Sequence, residues 1–176
     1  MIKDEMMLHH HTDIQELIRF IDQKAGALLV IYGFIFTATI EFAKDLKFID
    51  PFALKTGWDT IQSILLFALG FFLLATLIYQ VYFVLFEVIK PRHAKKYTQE
   101  EVSVVYFEHT AKRSKEDFVT HYDTISEVEI RKEFLCQIYE ISCILSQKSK
   151  KFNSILKYLF TTIIVLLIFI YLSKSV

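Results

Sequence analysis

Three uncharged apolar runs limit what this chain can fold into: residues 25–40, 60–86 and 158–173, of 16, 27 and 16 residues between the nearest charges. The hydrocarbon core of a bilayer is about 30 Å thick, and a helix rising about 1.5 Å per residue crosses it in about 20 residues. The middle run suffices alone. The outer two suffice when Lys24 and Lys157 carry their ammonium groups back to the interface, or when Glu41 sits at the far headgroup level. Two Pro and four Gly in 176 residues favour long helices over a turn-rich β architecture. The expected fold is an all-α integral membrane protein. It has three transmembrane helices, a helical cytoplasmic insert between the second and third, and a last helix that is long and continuous.

Formal net charge is zero, so bulk charge names no partner; its distribution does more. Residues 1–24 carry Lys3, Arg19 and Lys24, and residues 44–60 carry Lys44, Lys47 and Lys55. Residues 90–157 carry thirteen Lys and Arg against ten acids. The positive-inside bias places 90–157 and the N-terminus in the cytoplasm, with 44–60 and the tail from Lys174 outside. The long acidic head, with Asp4, Glu5, Asp13, Glu16 and Asp22, is unlike a cleavable signal peptide and is read as a retained anchor. Four parts result: a flexible tail over 1–12, an amphipathic entry helix with the first two spans over 13–89, a cytoplasmic helical region over 90–157, and the third span with its tail over 158–176.

Thr12-x-x-Gln15 reads as a capping box, followed by Ile14, Leu17, Ile18 and Ile21 on one helical face. One helix is expected over 13–42. His9, His10 and His11 precede it; three adjacent histidines cannot all face one ion, so they are read as a solvated tail and no metal is expected. Gly33-x-x-x-Thr37 is a small-residue pattern that lets helices approach closely in lipid. Pro51 and Gly57 break the chain between spans, and Trp58 suits the interface. The second span, over 61–89, is about 40 Å long at 1.5 Å per residue and ends before Lys90-Pro91-Arg92.

In the region after it, Val102 to Phe107 reads as a strand or as the buried entry to a helix. Ser114-x-x-Asp117 reads as a helix N-cap before Phe118, His121, Tyr122 and Ile125. No Gly or Pro follows Glu127, so one helix is expected over 127–172. Phe134, Ile138, Ile141, Leu145, Lys148, Phe152, Ile155 and Leu159 recur at alternating spacings of four and three, a heptad seam with one polar break at Lys148. That seam fits either packing within one subunit or self-association. Cys136 and Cys143 lie on the same helix and are read as free, half-buried thiols.

Three segments together resemble a known family. FIDQKAGALL at 20–29 resembles the Asp-x-Lys-Ala entry to the first span of the Pycsar-type transmembrane effectors of bacterial anti-phage defence. VYFEHTAK at 105–112 resembles that family's aromatic-(Gly)-x-x-Ala-Lys segment, with Glu108 where the pattern carries Gly. QIYEISCILSQKSKKF at 137–152 resembles its Gln-anchored helix before a final span. The resemblance implies a protein of the bacterial inner (plasma) membrane that responds to a nucleotide made by a cyclase or nucleotidyltransferase encoded nearby. It implies membrane permeabilisation and arrest or death of the infected cell. In the Pycsar branch the signal is a cyclic pyrimidine mononucleotide.

No enzymatic constellation stands out. There is no Gly-rich phosphate loop, no Gly-x-Ser-x-Gly elbow and no Cys/His metal spacing, and Arg113 and His121 have seven residues between them, too many for a HEPN ribonuclease pair. The chain is therefore not expected to be an enzyme, nor to read DNA sequence. A nucleotide phosphate requires cationic and hydrogen-bonding groups near a helix start, where Lys112, Arg113 and Lys115 lie; Tyr106, Phe107 and His109 are candidates to stack on a base. Tyr106, His109, Lys112 and Arg113 are the candidate ligand site. Arg92, Lys95 and Lys96 suit either such a ligand or anionic lipid. Glu41, Gln80 and Glu87 are candidate pore or rim groups, because polar side chains at membrane depth often mark pathways. Gly33, Thr37, Phe134, Ile138, Ile141 and Leu145 are the candidate helix-packing or oligomer seam. The expected function is an oligomeric effector that opens the membrane on a cytoplasmic nucleotide signal, with lipid and further copies of itself as partners. The alternative is a non-conducting membrane anchor that recruits a cytoplasmic protein.

Overall fold

The computed structural model describes residues 2–44, 57–90, 103 and 106–174. Of these, 94% are helical and none lies in a strand. Helix α1 spans Ile2–Lys44 and α2 spans Gly57–Phe83, running directly into a π-helical stretch, Val84–Ile89. Short helices α3 (Phe107–Ala111) and α4 (Lys115–Thr124) precede α5, Glu127–Ser173. Helix α1, α2 with its π stretch, and α5 are each long and apolar enough to cross a membrane. The three crossings and the continuous last helix are as the apolar runs predict.

Helix α1 begins well before the expected start at Asp13, so the segment read as a flexible tail is helical from Ile2. The expected capping box is not made. The Thr12 hydroxyl donates to the Leu8 carbonyl at 3.0 Å, a mid-helix bond, and the Gln15 amide meets His11. Three contacts hold these early turns. Asp4 pairs with Arg131 at 2.8 Å, His9 lies 3.3 Å from Asp13, and the His11 ring centroid is 4.9 Å from that of Phe134. Asp4 and Glu5 in the first turn also complement the positive end of the helix dipole.

The π stretch closes with the Lys90 N–H donating to the Leu85 carbonyl at 3.0 Å. Lys90 itself is extended (φ −47°, ψ 131°), the conformation that a following proline imposes on the residue before it. Ser114 caps α4 as expected, its Oγ accepting from the Asp117 N–H at 3.1 Å. Helix α5 starts at Glu127 behind a reciprocal capping box. The Ser126 N–H and hydroxyl donate to Glu129 Oε2 at 3.0 and 2.7 Å, and the Glu129 N–H returns to Ser126 Oγ at 3.3 Å. Of the Val102 to Phe107 run, Ser103, Tyr106 and Phe107 are described, and Phe107 opens α3 behind the extended Tyr106. The loop with Pro51 and the basic group Arg92, Lys95 and Lys96 lie outside the described residues.

Contacts divide the chain into two compact units. One, the polar unit, comprises Met1–Phe20 and Pro91–Ser149; the other, the membrane unit, comprises Ile21–Lys90 and Lys150–Val176. The divisions fall after Phe20 and Ser149 rather than at the sequence-based boundaries after residues 12 and 157. In the membrane unit, Ala25, Leu28, Tyr32 and Ile35 of α1 form one helical stripe, buried with Leu66, Leu73 and Leu77 of α2, with Val84 and Val88 of its π stretch, and with Phe152, Ile155 and Phe169 of α5. Its outer faces are equally apolar: Phe34, Phe67, Phe71, Phe160, Ile164 and Leu167 are exposed, as a surface bathed in lipid requires. The polar unit buries Ile14, Tyr106 and Ile138 together with Ser103, Glu140 and Lys148.

Candidate functional site

Helices α2 and α5 run antiparallel through the membrane unit, and three contacts set their register. Glu87 and Lys151 form an ion pair at one end. The Gln80 amide Nε2 donates to Thr162 Oγ1 at 2.6 Å. Farther along, the Phe169 ring lies so close to Gly70 that a Cβ there would be 3.0 Å from a ring carbon. With about 1.5 Å per helical residue, Gln80 is roughly 10 Å from the Glu87 level and about 15 Å from the Gly70 level. A hydrogen-bonded amide therefore sits between those two levels, on a helix long and apolar enough to cross a membrane.

Two of the sequence-based rim candidates thus fall on one seam, and the third does not. Gln80 is 2% exposed and Glu87 is half-buried against Lys151. Glu41, at the other end of α1, pairs with Lys44 of its own helix at 2.8 Å, both side chains being exposed. Thr162 was not singled out from the sequence. The signal for it is a hydroxyl in an apolar run, but Thr161 next to it looks identical, and only the register separates them. Beside the Gln80–Thr162 bond lies a cavity of about 350 Å³ with an almost wholly apolar lining, formed by Phe72, Leu73, Thr76, Tyr79, Tyr158, Thr161 and Val165. The hydroxyls around it are mostly turned onto their own helices. Thr76 donates to the Phe72 carbonyl (2.8 Å) and Thr162 to that of Tyr158 (2.9 Å). Such back-bonding satisfies a hydroxyl where no water competes. Among the described residues of this unit, two buried acceptor or donor atoms have no partner, Gln80 Oε1 and the Tyr32 hydroxyl.

Gly33 and Thr37 lie on the face of α1 opposite its buried stripe. Both are exposed, Thr37 donates to the Gly33 carbonyl at 3.0 Å, and nothing lies within 4 Å of a Cβ placed on Gly33. The heptad positions behave differently. Phe134, Ile138, Ile141 and Leu145 in the polar unit, and Phe152, Ile155 and Leu159 in the membrane unit, are all buried or half-buried within the chain. Lys148, the polar break, is 3% exposed.

Two of the candidate ligand residues, Tyr106 and His109, bond to Ser103. Its N–H donates to His109 Nδ1 at 3.1 Å, and its hydroxyl donates to Glu133 Oε2 at 3.1 Å while accepting the Tyr106 N–H at 3.2 Å. Because a backbone N–H occupies Nδ1, the proton of a neutral His109 ring sits on Nε2. The Tyr106 ring is buried and meets His109 edge-on, with centroids 5.1 Å apart, so it is packed into the unit rather than presented for stacking. Lys112 is exposed and Arg113 half-buried in the turn between α3 and α4, two and one residues before the Ser114 cap. Ser103 and Glu133 are the polar neighbours that sequence reasoning missed. They come from segments about 30 residues apart and share no local pattern.

No curated protein and no solved structure matches the chain. The family model of the Pycsar effector protein domain, PycTM, matches residues 6–173, through all three apolar helices and the segment between them, and the chain belongs to that family of membrane effectors of anti-phage defence.

Proposed function

We propose that the protein is an oligomeric effector of the bacterial inner membrane which permeabilises the bilayer when a cytoplasmic nucleotide, made by a partner cyclase, reaches its polar unit. The observation that carries this reading is the family match over residues 6–173 on a chain with three helices able to cross a membrane. The family implies a nucleotide cyclase in the same system. The thirteen Lys and Arg of residues 90–157 support a cytoplasmic N-terminus and polar unit.

For the ligand, the turn at Lys112, Arg113 and Ser114 has the chemistry a phosphate diester needs. It combines two cations with an α-helix N-terminus. Nucleotide binding favours one packing of the polar unit over another, and α5, which continues unbroken into the membrane unit, carries the change. Gly33 and Thr37, exposed on α1, are the surface where copies approach.

Co-expression with the active partner cyclase is the test. Membrane potential collapses and an impermeant dye enters within one growth cycle, and neither happens with a catalytically dead cyclase. The double change Lys112→Ala/Arg113→Ala lowers the response at least tenfold while leaving the protein in the membrane fraction. Full potential with the active cyclase rejects permeabilisation and favours an anchor that recruits a partner.

A further inference from the structure

Lipid meets the α2–α5 seam at a groove rather than at a smooth face. The cavity of about 350 Å³ is walled by Phe72, Leu73 and Tyr79 of α2 and by Tyr158, Thr161 and Val165 of α5. Phe72, Tyr79, Tyr158 and Thr161 are exposed around its opening. The stretches from Phe72 to Tyr79 and from Tyr158 to Val165 each rise about 10 Å along their helices. The lining offers an occupant almost no polar surface, because Thr76, Thr161 and Thr162 donate their hydroxyls to the Phe72, Lys157 and Tyr158 carbonyls. Water there lacks the polar partners that hold a buried water in place. A hydrocarbon chain needs none, and hydrocarbon is what surrounds a helix that crosses a bilayer.

Cations continue the groove at one end. Lys150, Lys157 and Thr161 recur at spacings of seven and four, which puts them on one side of α5. Both lysines are exposed and neither forms an ion pair among the described residues, whereas Lys151 is taken by Glu87. A helical side chain leans toward the N-terminus of its helix, so the Lys157 ammonium reaches back from the apolar run that begins at Tyr158 toward the headgroups. We propose that the groove is a site for an anionic phospholipid, with one acyl chain between α2 and α5 and the phosphate at Lys157. Lys150, two turns farther out, adds to the attraction. The chain fills space that otherwise leaves Phe72 and Val165 short of contacts. A zwitterionic lipid brings the same chain, but its own cation opposes the two lysines. The site needs neither nucleotide nor pore, so it stands apart from the permeabilising role above.

Bromine on an acyl chain quenches tryptophan on contact, and the chain holds a single tryptophan, Trp58, exposed near the start of α2 and away from the groove. On a Trp58→Phe background a reporter is placed in the groove wall by Phe72→Trp, or beside it by Phe71→Trp, an exposed neighbour that lines no part of the groove. Purified protein is reconstituted in phosphatidylcholine vesicles, and brominated phosphatidylglycerol or brominated phosphatidylcholine is raised in steps. Relative affinities are read from the fall in emission. At Phe72→Trp, phosphatidylglycerol binds about fivefold more tightly than phosphatidylcholine, as one lysine near an anionic headgroup implies. At Phe71→Trp the two lipids are equal, and Lys150→Gln/Lys157→Gln removes the preference at Phe72→Trp. Equal quenching by both lipids at Phe72→Trp means unselective contact and overturns the site. A preference of the same size at Phe71→Trp means a general attraction to charged surface and overturns the groove. A preference that survives the double lysine change overturns the assignment of the phosphate to Lys157.

Discussion

In the membrane unit the helices meet through Leu66, Leu73, Leu77, Val84, Val88 and Ile155, and hydroxyls such as Thr39, Thr76 and Thr162 donate to their own helices. In the polar unit the contacts are of another kind: Asp4 with Arg131, Ser103 with Glu133 and His109, and the reciprocal Ser126–Glu129 box. The difference follows from solvent. In lipid a polar group must be satisfied locally, so packing carries the association and one interhelical hydrogen bond stands out. In water, polar groups are free to pair across distant segments, and the unit is held by many modest bonds.

This contrast is open to attack by substitution. The largest effect belongs to Leu73→Ala, which truncates a side chain 1% exposed in the membrane unit. Core truncations of this type cost about 2–5 kcal/mol, whereas Leu65→Ala on the exposed face of the same helix costs about 0.5 kcal/mol or less. Unfolding in bicelles by added dodecyl sulfate measures both, and equal losses break the claim that packing holds this unit. Next is Ser103→Ala, which strands the buried Tyr106 N–H and releases Glu133. A loss of about 1–3 kcal/mol is expected, read as faster amide exchange over residues 106–111 with the membrane unit unchanged.

A smaller effect is expected from Ser126→Ala, about 1 kcal/mol for a lost cap. It appears as amide exchange at residues 127–130, and Ser146→Ala, exposed in mid-helix, serves as the silent control. The cap also acts on acid–base behaviour. Hydrogen bonds from the Ser126 hydroxyl and N–H hold the Glu129 carboxyl below the usual carboxylate range. Its contribution is present above the ordinary pKa and fades as pH falls through the lowered one, so Ser126→Ala flattens the acid limb of stability.

The smallest effect is at His11. Burial against the Phe134 ring pushes its imidazole below the ordinary value of 6.5. The folded state therefore favours the neutral ring. The stability it lends is complete above pH 6.5 and is lost as pH falls through the lowered folded-state value. Protection factors at residues 8–12, corrected for intrinsic exchange, fall between pH 7 and pH 5, and His11→Phe removes that dependence. A pH-independent wild type contradicts the contact.

Legibility in the sequence tracks the same contrast. The three crossings could be read because lipid demands unbroken apolar runs, and the heptad spacing from Phe134 to Leu159 marks α5's inward stripe because helical period leaves a local trace. Ser114 as a cap was readable, and Ser126-x-x-Glu129 carried the same signal unread. The start of α1 was misplaced because Thr12-x-x-Gln15 has the right letters, while Asp4–Arg131 and His11–Phe134 hold the helix from across the chain. Gln80 was visible as a polar residue in an apolar run, but its partner Thr162 lies 82 residues away. The Ser103 network was invisible for that reason too. It brings together segments with no shared periodicity, and it turned Tyr106 from a candidate stacking platform into a buried side chain.

The central claim is that permeability resides in this chain and answers to a nucleotide. Potassium release from liposomes holding only the purified protein measures it, before and after addition of the product mixture of the partner cyclase. Release that begins on addition, and is absent with a mixture from a catalytically dead cyclase, is the result the account predicts. Vesicles that stay tight although the protein has bound the nucleotide would contradict it.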